Sequence, residues 1–101
     1  MLTPLEFAER VLLLQEELGF SVSSWVRTEK HNFSVGGVKL SAHKRALAAD
    51  VLPDEMPEDQ RPLWLGDLQL RANHYDLEVI DEWATKGHYH LQVKGWASVA
   101  W

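Results

Sequence analysis

The chain has 101 residues, of which 46% are hydrophobic and 25% are charged, and its formal net charge is -5. These values are typical of one small folded domain, so we expect residues 1–101 to form a single domain. The negative charge argues against a general nucleic-acid-binding protein, and the lack of cysteine excludes disulfides, thiolate metal ligands and cysteine nucleophiles.

The first segment of the chain carries the signals of a helix. Thr3 can cap the free N–H groups of a first turn, Pro4 suits the first helical position, and Glu6 completes a capping box. Apolar residues recur at helical spacing as far as Leu18, and Gly19 suits the C-terminal end. We therefore predict a helix from about Pro4 to Leu18.

The same segment does not have the pattern of a secretory signal. Its short apolar run, Val11 to Leu14, is surrounded by charged side chains. No stretch approaches the roughly 20 apolar residues that cross a membrane. We expect cytoplasmic synthesis without a signal peptide or membrane insertion. Action outside the membrane would then depend on a separate membrane-permeabilising protein.

The middle of the chain predicts one strand, a long connection and one ambiguous segment. Phe20 to Val26 is rich in β-branched and aromatic residues and is predicted as a strand. Arg27 to Leu40 is a connection that contains Gly36-Gly37. Ala46 to Leu52 is mostly apolar, which fits either a buried strand or a buried helical turn. Pro53 to Pro57 is predicted as a loop.

The remaining elements predict the fold class. A second helix is expected over about Glu58 to Asn73, with Pro62 tolerated in its first turn. Leu77 to Trp83 and His88 to Val93 are predicted strands, joined by a hairpin turn at Thr85-Lys86-Gly87. Helices that bracket short strands without β-α-β alternation indicate an α+β fold with a small antiparallel sheet flanked by helices.

Histidines and carboxylates form the candidate functional residues. His43 and Asp50 flank a segment of small residues, and His88 and His90 are two apart in a predicted strand. Side chains two apart on a strand share a face, so both imidazoles can point to one place. Glu82 lies near the end of the preceding predicted strand, and the hairpin pairs that strand with the one that carries His88 and His90.

This set of residue types suits a catalytic zinc site. Such a site uses about three protein ligands and leaves one position for water. The metal lowers the pKa of that water and polarises the scissile carbonyl, and a nearby carboxylate moves the proton to the leaving amine. Spacing alone also fits a hydrogen-bonded surface pair at His88 and His90. His31 and His74 are assigned no function, and Asp81-Glu82 alone fits solvated charge at a strand end.

Several motifs in order resemble one peptidase family. Ser41-Ala42-His43-Lys44-Arg45-Ala46-Leu47-Ala48-Ala49-Asp50 resembles the Ser-x-His-x-x-Gly-x-Ala-x-Asp motif of zinc D-alanyl-D-alanine carboxypeptidases and L-alanyl-D-glutamate endopeptidases, with Ala46 in place of the glycine. Trp25-Val26-Arg27-Thr28, Asn32 to Gly37 and His88-Tyr89-His90-Leu91-Gln92 are also similar to family segments. The family includes vancomycin-resistance dipeptidases and phage endolysins, and the Hedgehog signalling domain shares its fold. The resemblance spans about Ser21 to Val93.

The resemblance implies a role for each matching residue at the metal. His43, Asp50 and His90 would be the ligands of Zn²⁺. His88 would line the site and stabilise the transition state. Glu82, six residues before His88, would be the general base, with Asp81 as the fallback.

The resemblance also implies a substrate and a function. Arg27 would lie near the substrate carbonyl or carboxylate, and Ser41 would orient the loop or a ligand. The implied activity is hydrolysis of the peptide stems of bacterial peptidoglycan, in a phage or prophage lysis enzyme. The alternatives are a catalytically inactive zinc-binding module and a virion-associated structural domain of the same fold.

Overall fold

The computed structural model describes residues 2–25, 42 and 46–96, and the elements below lie within these ranges. In chain order they are helix α1 (Pro4–Leu18), strand β1 (Phe20–Ser24), strand β2 (Ala48–Pro53), a 3-10 turn (Glu58–Gln60), helix α2 (Arg61–His74), strand β3 (Leu77–Glu82), the one-turn helix α3 (Trp83–Lys86) and strand β4 (His88–Val93). This content confirms the α+β class.

Helix α1 begins and ends where its local signals predict. The backbone N–H of Glu6 donates to the Thr3 hydroxyl at 3.2 Å, and the backbone N–H of Thr3 donates to the Glu6 carboxylate at 3.0 Å. Gly19 follows the last turn with a φ of 69°, a backbone angle that residues with a Cβ rarely adopt. The helix buries three side chains against the core: Phe7, Val11 and Leu14.

The strands of the described residues form one antiparallel sheet with the order β1-β2-β4-β3. Its register pairs Asp50 with His90 between β2 and β4, and Glu82 with His88 between β3 and β4. The ambiguous segment is therefore a central strand, from Ala48 to Pro53. Pro53 ends this strand, whereas the sequence placed it in the following loop.

Other element boundaries also differ from the predictions, and strand β3 ends at Glu82 rather than at Trp83. Strand β1 ends at Ser24, after an irregularity in its pairing with β2, rather than at Val26. The connection between β3 and β4 is the helical turn α3 rather than a short hairpin turn; its glycine, Gly87, has the expected positive φ of 73°. The second helix starts as the 3-10 turn and becomes α-helical at Arg61.

The aromatic core shows which face of the sheet the helices cover. Trp64 of α2 packs against Tyr89 of β4, with ring centroids 5.8 Å apart, and against Phe20 at 6.3 Å. Along β4, Tyr89, Leu91 and Val93 are buried, and the residues between them are half-buried. Because side chains alternate along a strand, the other β4 side chains point away from Trp64.

No helix within the described ranges is both long enough and apolar enough to span a membrane.

Candidate metal centre

Four polar side chains from three strands converge on the face of the sheet opposite Trp64. Asp50 comes from β2, Glu82 from the end of β3, and His88 and His90 from β4. The strand register brings them together, because Asp50 lies directly across from His90 and Glu82 directly across from His88. Side chains of directly opposed residues share a face, so the four groups lie on one surface.

Short contacts between imidazole nitrogens and carboxylate oxygens connect the four groups. Nδ1 of His90 is 3.1 Å from Oδ1 of Asp50, and Nε2 of His88 is 3.4 Å from the same oxygen. Nε2 of His88 is also 3.0 Å from Oε1 of Glu82, which is 3.8 Å from Nδ1 of His90. Oxygens of Asp50 and Glu82 and a nitrogen of His90 therefore lie close together, and His88 contacts both carboxylates.

Asp50 gives this cluster its electrostatic character. Among the described residues it is the one charged side chain that is buried, with 1% of its surface exposed. A buried carboxylate has a large desolvation cost unless a cation or several hydrogen bonds compensate it. A proton shared with an imidazole or a bound metal ion can supply that positive charge.

The donor set fits a zinc ion. Oxygen and nitrogen atoms of Asp50, Glu82 and His90 all lie within 4.8 Å of one another. Two ligand atoms of a tetrahedral zinc at its usual bond lengths are about 3.3 Å apart, which is close to the Asp50–His90 separation of 3.1 Å. Imidazole and carboxylate are both ordinary zinc ligands, so the chemistry and the spacing agree.

A second layer of hydrogen bonds lies behind His90. Its Nε2 is 2.8 Å from Oε1 of Gln92, and the amide nitrogen of Gln92 donates to Oε1 of Glu78. Gln92 and Glu78 are directly opposed in the β3–β4 ladder. Neither residue was predicted from the sequence to take part in the site, although the alternation that links His88 to His90 extends to Gln92.

Aromatic packing holds β4 on its other face. Tyr89, between the two histidines, stacks on Trp83 with a centroid distance of 5.4 Å, and the Arg61 guanidinium lies 4.4 Å over Trp83. Burial raises the pKa of the Tyr89 phenol, so this side chain stays neutral. The packing leaves little freedom for the strand that carries both imidazoles.

The structure brings together four of the residues selected from the sequence: Asp50, Glu82, His88 and His90. Asp81 points away from them, because it pairs with Tyr89 and its carboxylate accepts from the Trp83 backbone N–H at 3.0 Å. His74 lies in the last turn of α2 and packs edge-on against Tyr75.

The roles assigned to other residues are not tested by this geometry. Arg27, Ser41 and His43 lie outside the described residues, as does His31. Their assignments as carbonyl-binding, orienting and metal-binding residues stay predictions.

Comparison with known proteins identifies a family for this chain. The family model described as Peptidase M15 matches residues 8–63, which is more than half of the chain. The matched segment contains Asp50 but ends before β3, so Glu82 and the β4 histidines lie beyond it. No curated protein and no solved structure matches the chain.

Proposed function

The chain belongs to the peptidase M15 family, and we propose that it is a zinc metallopeptidase that hydrolyses the peptide stems of bacterial peptidoglycan. Membership implies a zinc-dependent peptidase acting on peptidoglycan-type substrates. The observation that carries the proposal is the buried Asp50 carboxylate, with His90 and Glu82 close enough to share one ion. We extend the proposal to the fold of zinc D-alanyl-D-alanine peptidases and Hedgehog domains.

In this proposal Asp50 and His90 hold Zn²⁺, and His43 is the third ligand. The contact between Asp50 and His90 supports the first two assignments. His43 is assigned by the Ser-x-His motif alone. Three ligands of this kind leave one coordination position for a water or a substrate oxygen.

Glu82 is the proposed general base. The bound ion would supply Lewis acidity, lowering the pKa of a water and polarising the scissile carbonyl. Glu82 would take a proton from the attacking water and return it to the leaving amine nitrogen. Oε1 of Glu82 lies 3.8 Å from Nδ1 of His90, which supports this role because the carboxylate is then next to a proposed metal ligand.

His88 and Arg27 are the proposed stabilisers of negative charge. The His88 imidazole is partly buried beside Asp50, where an N–H can donate to an oxygen that gains charge as the peptide bond breaks. Arg27 would bind the substrate carbonyl or carboxylate, and Ser41 would orient the loop or a ligand. These two assignments rest on the resemblance.

The proposed reaction is that of a D,D-carboxypeptidase or an L-alanyl-D-glutamate endopeptidase. The proposed biological role is that of a phage or prophage lysis enzyme. The protein would be made in the cytoplasm and reach the wall after a separate protein permeabilises the membrane. The products distinguish the two activities: the first releases free D-alanine, and the second exposes a new amino group on D-glutamate.

One observation favours a second candidate, a catalytically inactive zinc-binding module. Glu82 has an oxygen within ligand distance of Asp50 and His90. If it bound the ion together with His43, four protein ligands would close the site, as in structural zinc centres. A virion-associated structural domain is a further alternative, and for it the histidines would bind no metal.

The test compares Glu82→Gln with Asp81→Asn. Both remove one carboxylate charge from neighbouring residues, but only Glu82 lies in the cluster. Release of amino groups from purified peptidoglycan should fall by about 10²–10⁴-fold in Glu82→Gln. Asp81→Asn should remain active, and both variants should keep zinc.

Two results would change the assignment. Wild-type protein that binds zinc but releases no product would support the inactive module. Activity retained in Glu82→Gln and lost in Asp81→Asn would move the base to the fallback residue.

A further inference from the structure

We infer that Gln92 is a positioning residue that, together with Glu78, orients the His90 ring so that its Nδ1 binds the metal. The inference rests on the proposed zinc site and assigns the ligand atom and the residues that select it. It depends on a hydrogen-bond chain that runs from Glu78 through Gln92 to His90.

The Glu78 carboxylate sets the direction of this hydrogen-bond chain. A carboxylate can only accept hydrogen bonds, so the Gln92 group that faces Glu78 must be its NH₂. The Gln92 carbonyl oxygen, Oε1, then faces His90 at 2.8 Å. That oxygen is also an acceptor, so Nε2 of His90 must carry a proton and donate it.

This direction fixes the tautomer of a neutral His90. A neutral imidazole has one N–H and one lone pair, so a proton on Nε2 places the lone pair on Nδ1. Nδ1 faces Oδ1 of Asp50 at 3.1 Å and Oε1 of Glu82 at 3.8 Å. A divalent metal at this position would bind the Nδ1 lone pair together with carboxylate oxygens.

The strand register fixes the positions of the three side chains in this hydrogen-bond chain. Gln92 follows His90 by two positions on β4, so both side chains share a face, and Glu78 is directly opposite Gln92 on β3. All three side chains are half-buried, which limits competition from water for these hydrogen bonds.

The first experiment measures zinc affinity by competition with a chromophoric chelator. Gln92→Leu removes the acceptor for Nε2 at similar size and should weaken zinc binding about 10–100-fold. Gln69→Leu makes the same change on an exposed position of α2 and should leave the affinity unchanged.

A double variant tests whether the order of donors and acceptors matters. In Gln92→Glu with Glu78→Gln, the amide at 78 can donate to the carboxylate at 92, which still accepts from Nε2. This exchange should restore affinity close to that of the wild type. If the double variant bound zinc as weakly as Gln92→Leu does, the side chains at positions 78 and 92 would matter only for packing, which would contradict the inference.

The second experiment identifies the ligand atom directly. Long-range ¹H–¹⁵N spectra of the zinc-loaded protein should show a proton on Nε2 of His90 and none on Nδ1. A proton on Nδ1, or unchanged affinity in Gln92→Leu, would overturn the inference.

The two proposals can fail separately. Zinc bound through Nδ1 without peptidase activity would leave this inference intact and reject the proposed function. An active peptidase whose zinc is bound through Nε2 of His90 would support the proposed function and reject this inference. A wild-type chain that binds no zinc would overturn both.

Discussion

His90 lies directly across from Asp50 in the β2–β4 ladder, and their side chains meet with Nδ1 and Oδ1 3.1 Å apart. The two residues are 40 positions apart in the chain, so strand pairing sets their separation. A pair held by backbone hydrogen bonds of two central strands is preorganised, which lowers the cost of gathering ligands around an ion. Loss of the pair should therefore affect metal binding and fold stability together.

Removing the metal should destabilise the wild-type chain. A ligand that binds only the native state stabilises it by about 2.7 kcal/mol when its free concentration is 100 times its Kd. For a domain of this size, 1 kcal/mol corresponds to about 4–8 °C in Tm. Calorimetry with excess zinc and then with a chelator should show a Tm drop of about ten degrees or more.

The matched control for metal removal is Asp50→Asn. This variant keeps the shape of the side chain but removes the proposed ligand charge, so its Tm should be nearly the same with zinc and with chelator. A wild-type Tm that does not respond to chelator would argue against a metal site coupled to folding.

The strand that carries the histidines depends on its buried face. Leu91 lies between His90 and Gln92 and is fully buried. Leu91→Ala should cost about 2–5 kcal/mol of unfolding free energy, because it leaves a cavity under β4. Urea denaturation checks this. Leu70→Ala is the control; its side chain is 72% exposed, and the change should stay within about 0.5 kcal/mol.

The capping box of α1 predicts a pH dependence. Hydrogen bonds from the Thr3 backbone N–H, and then from its side chain, lower the pKa of Glu6 below its ordinary value of 4.5. The ionised form is therefore favoured in the folded chain. Its stabilisation is complete above the ordinary pKa and is lost as the pH falls through the folded value.

Thr3→Ala provides the test of that linkage. NMR titration should show the pKa of Glu6 moving toward 4.5 in this variant. Loss of the cap should also cost about 0.5–2 kcal/mol of stability at neutral pH. A wild-type Glu6 that titrates at or above its ordinary pKa would contradict the cap as described.

Local signals in the sequence were sufficient to predict those elements whose first and last residues are determined by their immediate neighbours in the chain. Thr3, Pro4 and Gly19 define α1 because capping and positive φ are local requirements. The β2 segment could not be assigned in this way. Ala48 to Val51 are buried on both faces, so no alternation distinguishes a strand from a helical turn, and only pairing with β1 and β4 decides.

The candidate site was predictable to the extent that it follows strand alternation and a family motif. His88, His90 and Asp50 were selected on these grounds. The role of Gln92 was not, because it requires the register that places Glu78 opposite. The helical turn α3 was also missed, since Gly87 alone does not specify how many residues precede it in the turn.

The most direct test of the central claim is the zinc content of purified protein, measured by elemental analysis after dialysis. The wild type should carry one zinc per chain, and His90→Ala and Asp50→Asn should carry far less. His74→Ala and Asp67→Asn, which change exposed residues of α2, should match the wild type. Zinc-free wild-type protein, or full zinc content in both site variants, would contradict the account.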